Sequence, residues 1–541
     1  MTADRDGGER PRTDVQVLIV GAGPTGLVLA IWLTRLGVTV RIIDKTAEPG
    51  TTSRALAVAA RTLELYRQVG MADPLVEGGV KVPGANFWVQ GAKVARLPLD
   101  RLGEGLTPFP FALIFPQDAH ERVLVERLEA LGVTVERRTE LVRFDQEGDG
   151  VHATLRRADG AEETCEASYL AGCDGAHSTV REALAVGFPG GTYSDIFYVA
   201  DVEGSGPATN GEIHVDLGRS DFLAVFPLKG TGRVRLVGTV VERPADEHDK
   251  LTFDDVRDRV TGHLQFAIDK VNWFSTYHVH HRVAAKFRGG RAFLLGDAAH
   301  IHSPVGGQGM NTGIGDAVNL SWKLAAVLNG GEAESLLDTY EPERIGFARR
   351  LVATTDRVFA FVTDKGPVAW RVRTRLLPLV APFLFRLAAV RRFLFRTVSQ
   401  IGVNYRKSPL STGAAGAVRG GDRLPWTRTG PHEDNFAPLT ALAWQVHLYG
   451  EPPSGVAEAC AELGLPLHLF GWQPEMRRPG LQRGALYLVR PDGYVALADA
   501  VGDPDGLRRY FTSRGLLATL RRDEATQVDP PPGHARIARS E

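Results

Sequence analysis

Three segments, far apart in the chain, carry residue types that bind and use a phosphorylated redox cofactor. They are Gly21-Ala22-Gly23-Pro24-Thr25-Gly26, the stretch Gly172-Cys173-Asp174-Gly175 with Ser178 and Arg181, and Gly296-Asp297 onward through Pro304, Gly307 and Gly309-Met310-Asn311. Glycines at such spacing allow tight turns and let the backbone approach a pyrophosphate. Asp44, followed by Lys45, stands 23 residues after Gly21, where a carboxylate can accept hydrogen bonds from a ribose diol. Metal chemistry is not expected: His278 and His280 fall on one face of an alternating strand beside His281, but no carboxylate or cysteine completes a ligand set.

The elements that must position these residues are legible. Residues 15–20 form an apolar run suited to a buried parallel strand that feeds the first glycine turn. A helix over 27–36 ends at Gly37, and a second strand over 38–43 leads to Asp44. Strand, glycine turn, helix, strand and acid make a dinucleotide site, which by itself does not separate FAD from NAD. The third segment favours a flavin. A strand over 291–295 delivers Gly296 and Asp297 at its carboxyl end, placing Asp297 for a ribityl hydroxyl. The helix that follows, through Trp322 to Leu328, aims its positive end and the amides of Gly309, Met310 and Asn311 at an anionic reduced ring. The glycine pairs at 204–206 and 230–232 lack a following helix, so NAD(P)H has no Rossmann unit of its own.

In this order and spacing the motifs resemble the class A flavoprotein aromatic hydroxylases, relatives of para-hydroxybenzoate hydroxylase and phenol hydroxylase, over about residues 15–409. The resemblance implies that Gly21, Gly23, Pro24, Thr25, Gly26, Asp44 and Lys45 hold the ADP half of FAD, with Asp44 where the family often has Glu. It implies that the middle motif, with Asp174, serves FAD and nicotinamide, and that Gly296, Asp297, Pro304, Gly307, Gly309, Met310 and Asn311 bind ribityl and isoalloxazine. Arg54, in Ser-Arg-Ala-Leu-Ala-Val, and Gln117 match further family positions at the cofactor. FAD is then bound, NAD(P)H, with NADPH expected, is transient, and O2 is the co-substrate: reduction and O2 addition give a flavin C4a-hydroperoxide that an electron-rich ring attacks. Arg54 is the residue expected to hold flavin and substrate in register, and the loop around Pro304 to exclude water. His214 and His278 are general-base candidates by location alone. Phe87, Trp88, Phe222 and Phe226 are candidates for stacking on a flat substrate. Length and a third domain resemble hydroxylases of fused-ring polyketides in antibiotic biosynthesis. Baeyer–Villiger or ring-cleaving oxygenation of a polyketide, and simple-phenol hydroxylation, stand as alternatives. A flavin halogenase, which shares the first motif, would be expected to carry a Gly-Trp-x-Trp-x-Ile-Pro segment, and none is present.

The expected fold class is α/β. A Rossmann-like FAD-binding domain is formed by 14–84, 115–187 and 282–360, with an inserted mixed β-sheet substrate domain from 85–114 and 188–281. A helical connector (361–407), a linker (408–430) and a thioredoxin-like C-terminal α/β domain (431–522) follow, between disordered tails at 1–13 and 523–541. The C-terminal order is strand 445–449, helix 455–463, strand 466–471, a hairpin over 485–498 and a helix over 505–514. It lacks a CxxC, so structure or oligomerisation is its expected role. Arginines interrupt the connector, so it does not span a membrane. Basic amphipathic membrane contact is conceivable there, but covering the FAD domain, joining domains or dimerising is the expected role. A net charge of -1 over 541 residues gives no general attraction for nucleic acid or an anionic membrane, so any charge-driven binding must be local, and three cysteines build no disulfide framework. The expectation is a cytoplasmic monomer or homodimer acting on a small aromatic molecule.

Overall fold

The computed structural model describes residues 15–50, 55–89, 91–100, 102–217, 222–240, 251–264, 266–303, 306–330, 332–364 and 366–516. Arg54, Pro304 and the two expected tails therefore lie outside the described residues.

Val15–Val20 runs parallel between Val40–Asp44 and Glu162–Gly172 in an eight-stranded sheet. Ala292–Leu294 adds in parallel beyond Glu162–Gly172. These four strands point the same way, so their carboxyl ends bring Gly21, Asp44, Cys173 and Gly296 to one edge of the sheet. That parallel order is why motifs separated by hundreds of residues meet. The first crossover is Pro24–Arg35, a helix buried at every position from 26 to 33. A helix apolar all round needs neighbours on all sides; the long helix Gly309–Leu328 is one of them.

A second eight-stranded sheet has the order His300–Ile301, Ala267–Val283, Gly190–Ser205, Arg233–Val240, Phe222–Pro227, Ile213–Leu217, Gly84–Val89, Ala92–Pro98. Alternation gives it two apolar faces. Tyr198, Leu223, Val225 and Leu236 pack on the helix Asp254–Leu264. Phe197, Val199, Val237 and Val279 pack on Phe359, and Phe226 also reaches Leu56 and Ala57. The reading of 188–281 as strands missed that helix, whose apolar stripe is only Val256, Val260 and Leu264. Likewise Ala112–Ile114, assigned to the substrate sheet, pairs with Ala57–Val58 and Val80–Val82 in a separate three-stranded sheet.

The linker expected at 408–430 is corrected. Thr412–Ala415 and Val418–Arg419 are strands of a six-stranded sheet completed by Gln445–Tyr449, Leu467–Phe470, Leu486–Val489 and Val495–Asp499. Glycine content suggested a loop, yet Gly413 (φ 76°) pairs with Ala498 within the strand, and glycine is needed there because a Cβ would lie 2.2 Å from Ala498 O. The connector is helical, as Pro367–Arg371, one π turn, Leu377–Leu384 and Ala388–Val398. The C-terminal unit is not a loose appendage. Trp322 and Ala326, on the long helix, belong to its core, and Trp322 meets Trp444 edge-on at 5.6 Å.

Candidate functional site

The first glycine turn is set by close packing. Gly21 (φ 102°) donates its N–H to Ile43 O at 2.8 Å, and a Cβ there would lie 2.4 Å from Cys173 O. A Cβ on Gly26 would lie 2.0 Å from Gly21 O, so helix and strand approach only without a side chain. Gly23 differs: a Cβ there meets no heavy atom within 4 Å. No protein contact requires glycine at that point, whereas a pyrophosphate approaching the backbone would. Gly23 is also the N-cap of Pro24–Arg35 and no side chain caps that helix, so its first-turn amides present their positive end to the same space. At the neighbouring strand end, Asp44 accepts from Ala22 N–H at 2.7 Å and from Thr46 N–H at 2.8 Å, which fixes its carboxylate beside the turn.

The middle motif is a brace. Asp174 accepts from Ser178 Oγ at 2.6 Å and from Val180 N–H at 3.1 Å, and Ser178 Oγ in turn accepts from Arg181 N–H at 3.0 Å. Arg181 donates to Ala298 O at 3.0 Å and to Ala176 O at 2.9 Å, tying this loop to the Gly296–Ala298 turn of the third motif. Burial raises the Asp174 carboxyl above its usual range despite those donors.

The third motif is held from beneath by residues that motif reading missed. Asp316, fully buried, accepts from His300 Nε2 at 2.7 Å, from Arg344 Nε at 2.5 Å and from Gly296 N–H at 3.1 Å. Burial alone would raise its carboxyl, but Arg344 and His300 bring it below the usual range. The signal was available as one acid within an otherwise apolar helical run, Gly313-Ile314-Gly315-Asp316-Ala317-Val318. Asn311 uses its whole side chain. Oδ1 accepts from Ala59 N–H and Thr62 Oγ1, both at 2.8 Å, and Nδ2 donates to Ala57 O and Gly307 O, both at 2.9 Å. It pins the helix start to two other segments, leaving its backbone to face the site. The first bond of the helix is Thr312 N–H to Gln308 O, and no side chain caps it, so the amides of Gly309, Met310 and Asn311 precede the helical ladder.

Buried polar atoms at this loop test whether a flavin fits. His302 Nδ1 donates to Ser303 O at 2.7 Å, and burial pushes its pKa down to about 4, so the ring is neutral and Nε2 is an acceptor. That Nε2 and Ser303 Oγ are buried without a partner among the described residues. Unpaired buried polar groups are costly, and a polar ring edge placed in the loop would satisfy both. The uncapped helices and the open space at Gly23 fit the charged parts of the same group. Gln117 Nε2 donates to Glu121 Oε1 at 2.8 Å and Gln117 N–H to Ala55 O at 3.0 Å, so its helix holds the chain next to Arg54. Met310 Sδ sits 3.3 Å from Nδ1 of buried His120, whose Nε2 is 2.8 Å from the Tyr66 hydroxyl. Asp297 is exposed at the same sheet edge, and Lys45 follows Asp44 into solvent.

The other sequence-selected residues divide between the two faces of the second sheet. Phe87, Phe222 and Phe226 share the face turned to Leu56, Ala57 and Phe359. Trp88 and His214 lie on the opposite face: Trp88 Nε1 donates to His214 Nδ1 at 3.0 Å, and His214 Nε2 donates to Asn210 Oδ1 at 2.9 Å. With both nitrogens engaged and burial pushing its pKa down to about 4, His214 is not brought to the flavin loop. His278 is exposed and alternates with Tyr277 and Val279, away from Phe359. No group of three potential ligands assembles a metal site among the described residues.

Sequence comparison agrees with this geometry. The family model described as FAD binding domain matches residues 14–355, and the chain belongs to that family. It is 36% identical to 6-methylpretetramide 4-monooxygenase of Streptomyces rimosus, over 94% of this chain and 95% of that one. The OxyS anhydrotetracycline hydroxylase from Streptomyces rimosus superposes with a TM-score of 0.75 at 30% identity, covering 93% of this chain and 99% of that one. The rebeccamycin biosynthetic enzyme RebC, solved with reduced flavin, superposes at 0.73 with 28% identity, over 93% and 99% of the two chains. This chain is a flavoprotein monooxygenase that uses FAD, NAD(P)H and O2.

Proposed function

We propose that the protein hydroxylates an electron-rich, fused-ring aromatic substrate of the polyketide kind. The observation that carries this reading is the sheet face opposite the helix Asp254–Leu264. Phe87, Phe222, Phe226, Tyr277 and Trp273 line it with flat aromatic rings. Among them Arg235, 2% exposed, makes a two-point pair with Asp201, at 2.6 Å and 2.8 Å. Cross-strand pairing puts Arg235 beside Phe226 and Asp201 beside Trp273, so a fixed guanidinium lies within an aromatic wall. Phenolic and quinone oxygens on a flat ring system suit such a wall better than a small apolar molecule does.

Bound FAD supplies two-electron reduction by NAD(P)H and activation of O2. The chain binds and orients. Gly21, Gly23, Pro24, Thr25, Gly26, Asp44 and Lys45 take the ADP half; Asp297 takes a ribityl hydroxyl; the amides at Gly307, Gly309, Met310 and Asn311 take the pyrimidine edge. Asp174 keeps the middle loop in place, Gln117 and Arg54 hold the approach between flavin and substrate, and the Pro304 loop excludes water. Trp88, His214 and His278 take no part in proton transfer on this reading, because they face away from the cofactor.

The C-terminal unit is read as thioredoxin-like. Its support is the strand order Val495–Asp499, Leu486–Val489, Gln445–Tyr449, Leu467–Phe470, with the last two parallel across Val456–Leu463 and Leu486–Val489 antiparallel to its neighbours. The domain division set out from the sequence stands as our proposal, with Ala112–Ile114 taken out of the substrate sheet and the C-terminal unit begun at Thr412. So does a cytoplasmic monomer or homodimer, where NAD(P)H is at hand.

The test is turnover of aromatic polyketides with NADPH under ¹⁸O2. The expected result is substrate-accelerated NADPH oxidation and a single ¹⁸O atom as a new aromatic hydroxyl. A labelled lactone with no new hydroxyl would replace hydroxylation by Baeyer–Villiger oxygenation, and turnover of simple phenols alone would remove the fused-ring assignment.

A further inference from the structure

Nine of the twelve large apolar side chains exposed among the described residues fall between Val368 and Val398. Four of them, Leu379, Val380, Phe383 and Leu384, recur at intervals of three and four on the helix Leu377–Leu384 and make one stripe of it, with Leu376 in the π turn before that helix and Leu387 in the turn after it. In a globular protein such a stripe turns to the core. Here it turns outward: Leu379 and Phe383 are each 68% exposed, while Ala381, between them, is buried. The same stretch, 366–398, holds seven arginines and no aspartate or glutamate, in a chain whose net charge is -1. Arg373 is turned inward, donating to Phe361 O and Asp364 O. Arg371, Arg375, Arg386, Arg392 and Arg396 are exposed around the stripe.

We infer that this helical face docks on an anionic lipid bilayer, with the apolar stripe in the boundary between headgroups and acyl chains and the arginines at phosphate level. The charge pattern selects this occupant. A second copy meeting it through two-fold symmetry would set arginines against arginines, with no carboxylate in the segment to pair them. An anionic bilayer offers the apolar medium and the opposite charge together. No helix among the described residues is long and apolar enough to cross a membrane, so the contact is with one surface. Its position connects it to the site. Phe385 meets Phe87 of the aromatic wall at 5.5 Å, while Gln308 of the flavin loop donates to Val398 O at 2.9 Å and accepts from Gln400 Nε2 at 2.8 Å. Docking therefore sets the space between sheet and flavin loop beside the lipid.

Co-sedimentation of the full-length holoprotein with vesicles tests this without any substrate, so its outcome is separate from that of the hydroxylase reading. Vesicles of phosphatidylcholine with about one-third phosphatidylglycerol should bind the protein, less as salt is raised, and pure phosphatidylcholine should bind it weakly. Each arginine near the surface is worth about a fivefold factor, so the Arg375→Glu/Arg386→Glu variant should lose about 25-fold or more in affinity for the anionic vesicles. Leu379→Ser/Phe383→Ser should weaken binding while the FAD-to-protein ratio is unchanged. These side chains are exposed and lie outside the cofactor site, so both variants fold. Equal affinity for the two vesicle types, or none for either, would overturn the inference. So would a dimer in the ultracentrifuge that Leu379→Ser/Phe383→Ser returns to monomer, which would give the face to a second copy.

Discussion

Gly23 and Gly26 sit three residues apart and are glycine for different reasons, which makes them separable. A methyl at Gly26 meets backbone at 2.0 Å and one at Gly23 meets nothing. Gly26→Ala should therefore lower the melting temperature of the apoprotein sharply, as a core overpacking does. Gly23→Ala should leave it within about 1 kcal/mol of wild type, since alanine only modestly weakens an N-cap, yet weaken FAD binding at least about tenfold. Apoprotein melting and flavin-fluorescence titration read the two effects separately; a stable Gly26→Ala protein, or unchanged FAD affinity in Gly23→Ala, would contradict the assignments. Asn311 is a brace on the same scale. Asn311→Ala leaves the Ala59 amide and Thr62 hydroxyl without their buried acceptor, and should cost about 2–3 kcal/mol in urea unfolding.

The element that joins the parts is the helix Gly309–Leu328, about 30 Å long. Its first turn faces the flavin loop and its last turns lie in the C-terminal core. The second join is electrostatic. Arg490 and Asp492, from the C-terminal hairpin, enter a buried network in which Arg490 donates to Glu343 at 2.7 Å and 3.0 Å, and Lys323 donates to Glu343 at 2.9 Å. Burial pushes Lys323 down to about 8, whereas Arg490 and Lys323 hold Glu343 below the carboxylate range against its own burial. Arg490→Met should destabilise by about 3–5 kcal/mol, because it strips a buried carboxylate of its two-point partner. The double variant Arg490→Met/Glu343→Met should recover part of that loss in denaturant unfolding. Little of this was legible beforehand. The hairpin turn at Pro491-Asp492-Gly493 could be read from turn chemistry, but not its insertion against a helix 170 residues earlier.

Across the whole molecule, acid stability is set by histidines buried as neutral rings. Burial pushes His120 and His447 down to about 3, and His214 and His302 down to about 4. Their unfolded values lie near 6.5. Between 6.5 and those folded values the unfolded chain binds more protons, so stability falls as pH falls through that window. His120 and His447 should each remove about 2 kcal/mol by about pH 5. The melting temperature should drop steadily below about pH 6.5, and His447→Gln should flatten that slope; a flat profile down to about pH 4.5 would refute the account.

How much could be known from the residues alone divides along a physical line. Glycine spacing, strand runs and an acid at a fixed distance are local properties, so the strand–turn–helix unit of the first motif, the strand, turn and helix of the third, and the order of the C-terminal elements were all legible in one dimension. The same holds for the arginine-broken apolar pattern of 366–398, although not for the side of it that faces water. What only the tertiary structure decided depends on which surfaces meet. Phe87 and Trp88 are adjacent in the chain, and the pleat sends one to the face shared with Phe222 and Phe226 and the other to the opposite face with His214. Asp316, Arg344 and Asn311 hold the flavin loop through bonds to residues up to 254 positions away. The strands of 412–419 looked like a linker because short, glycine-bearing strands acquire their identity from the sheet that receives them.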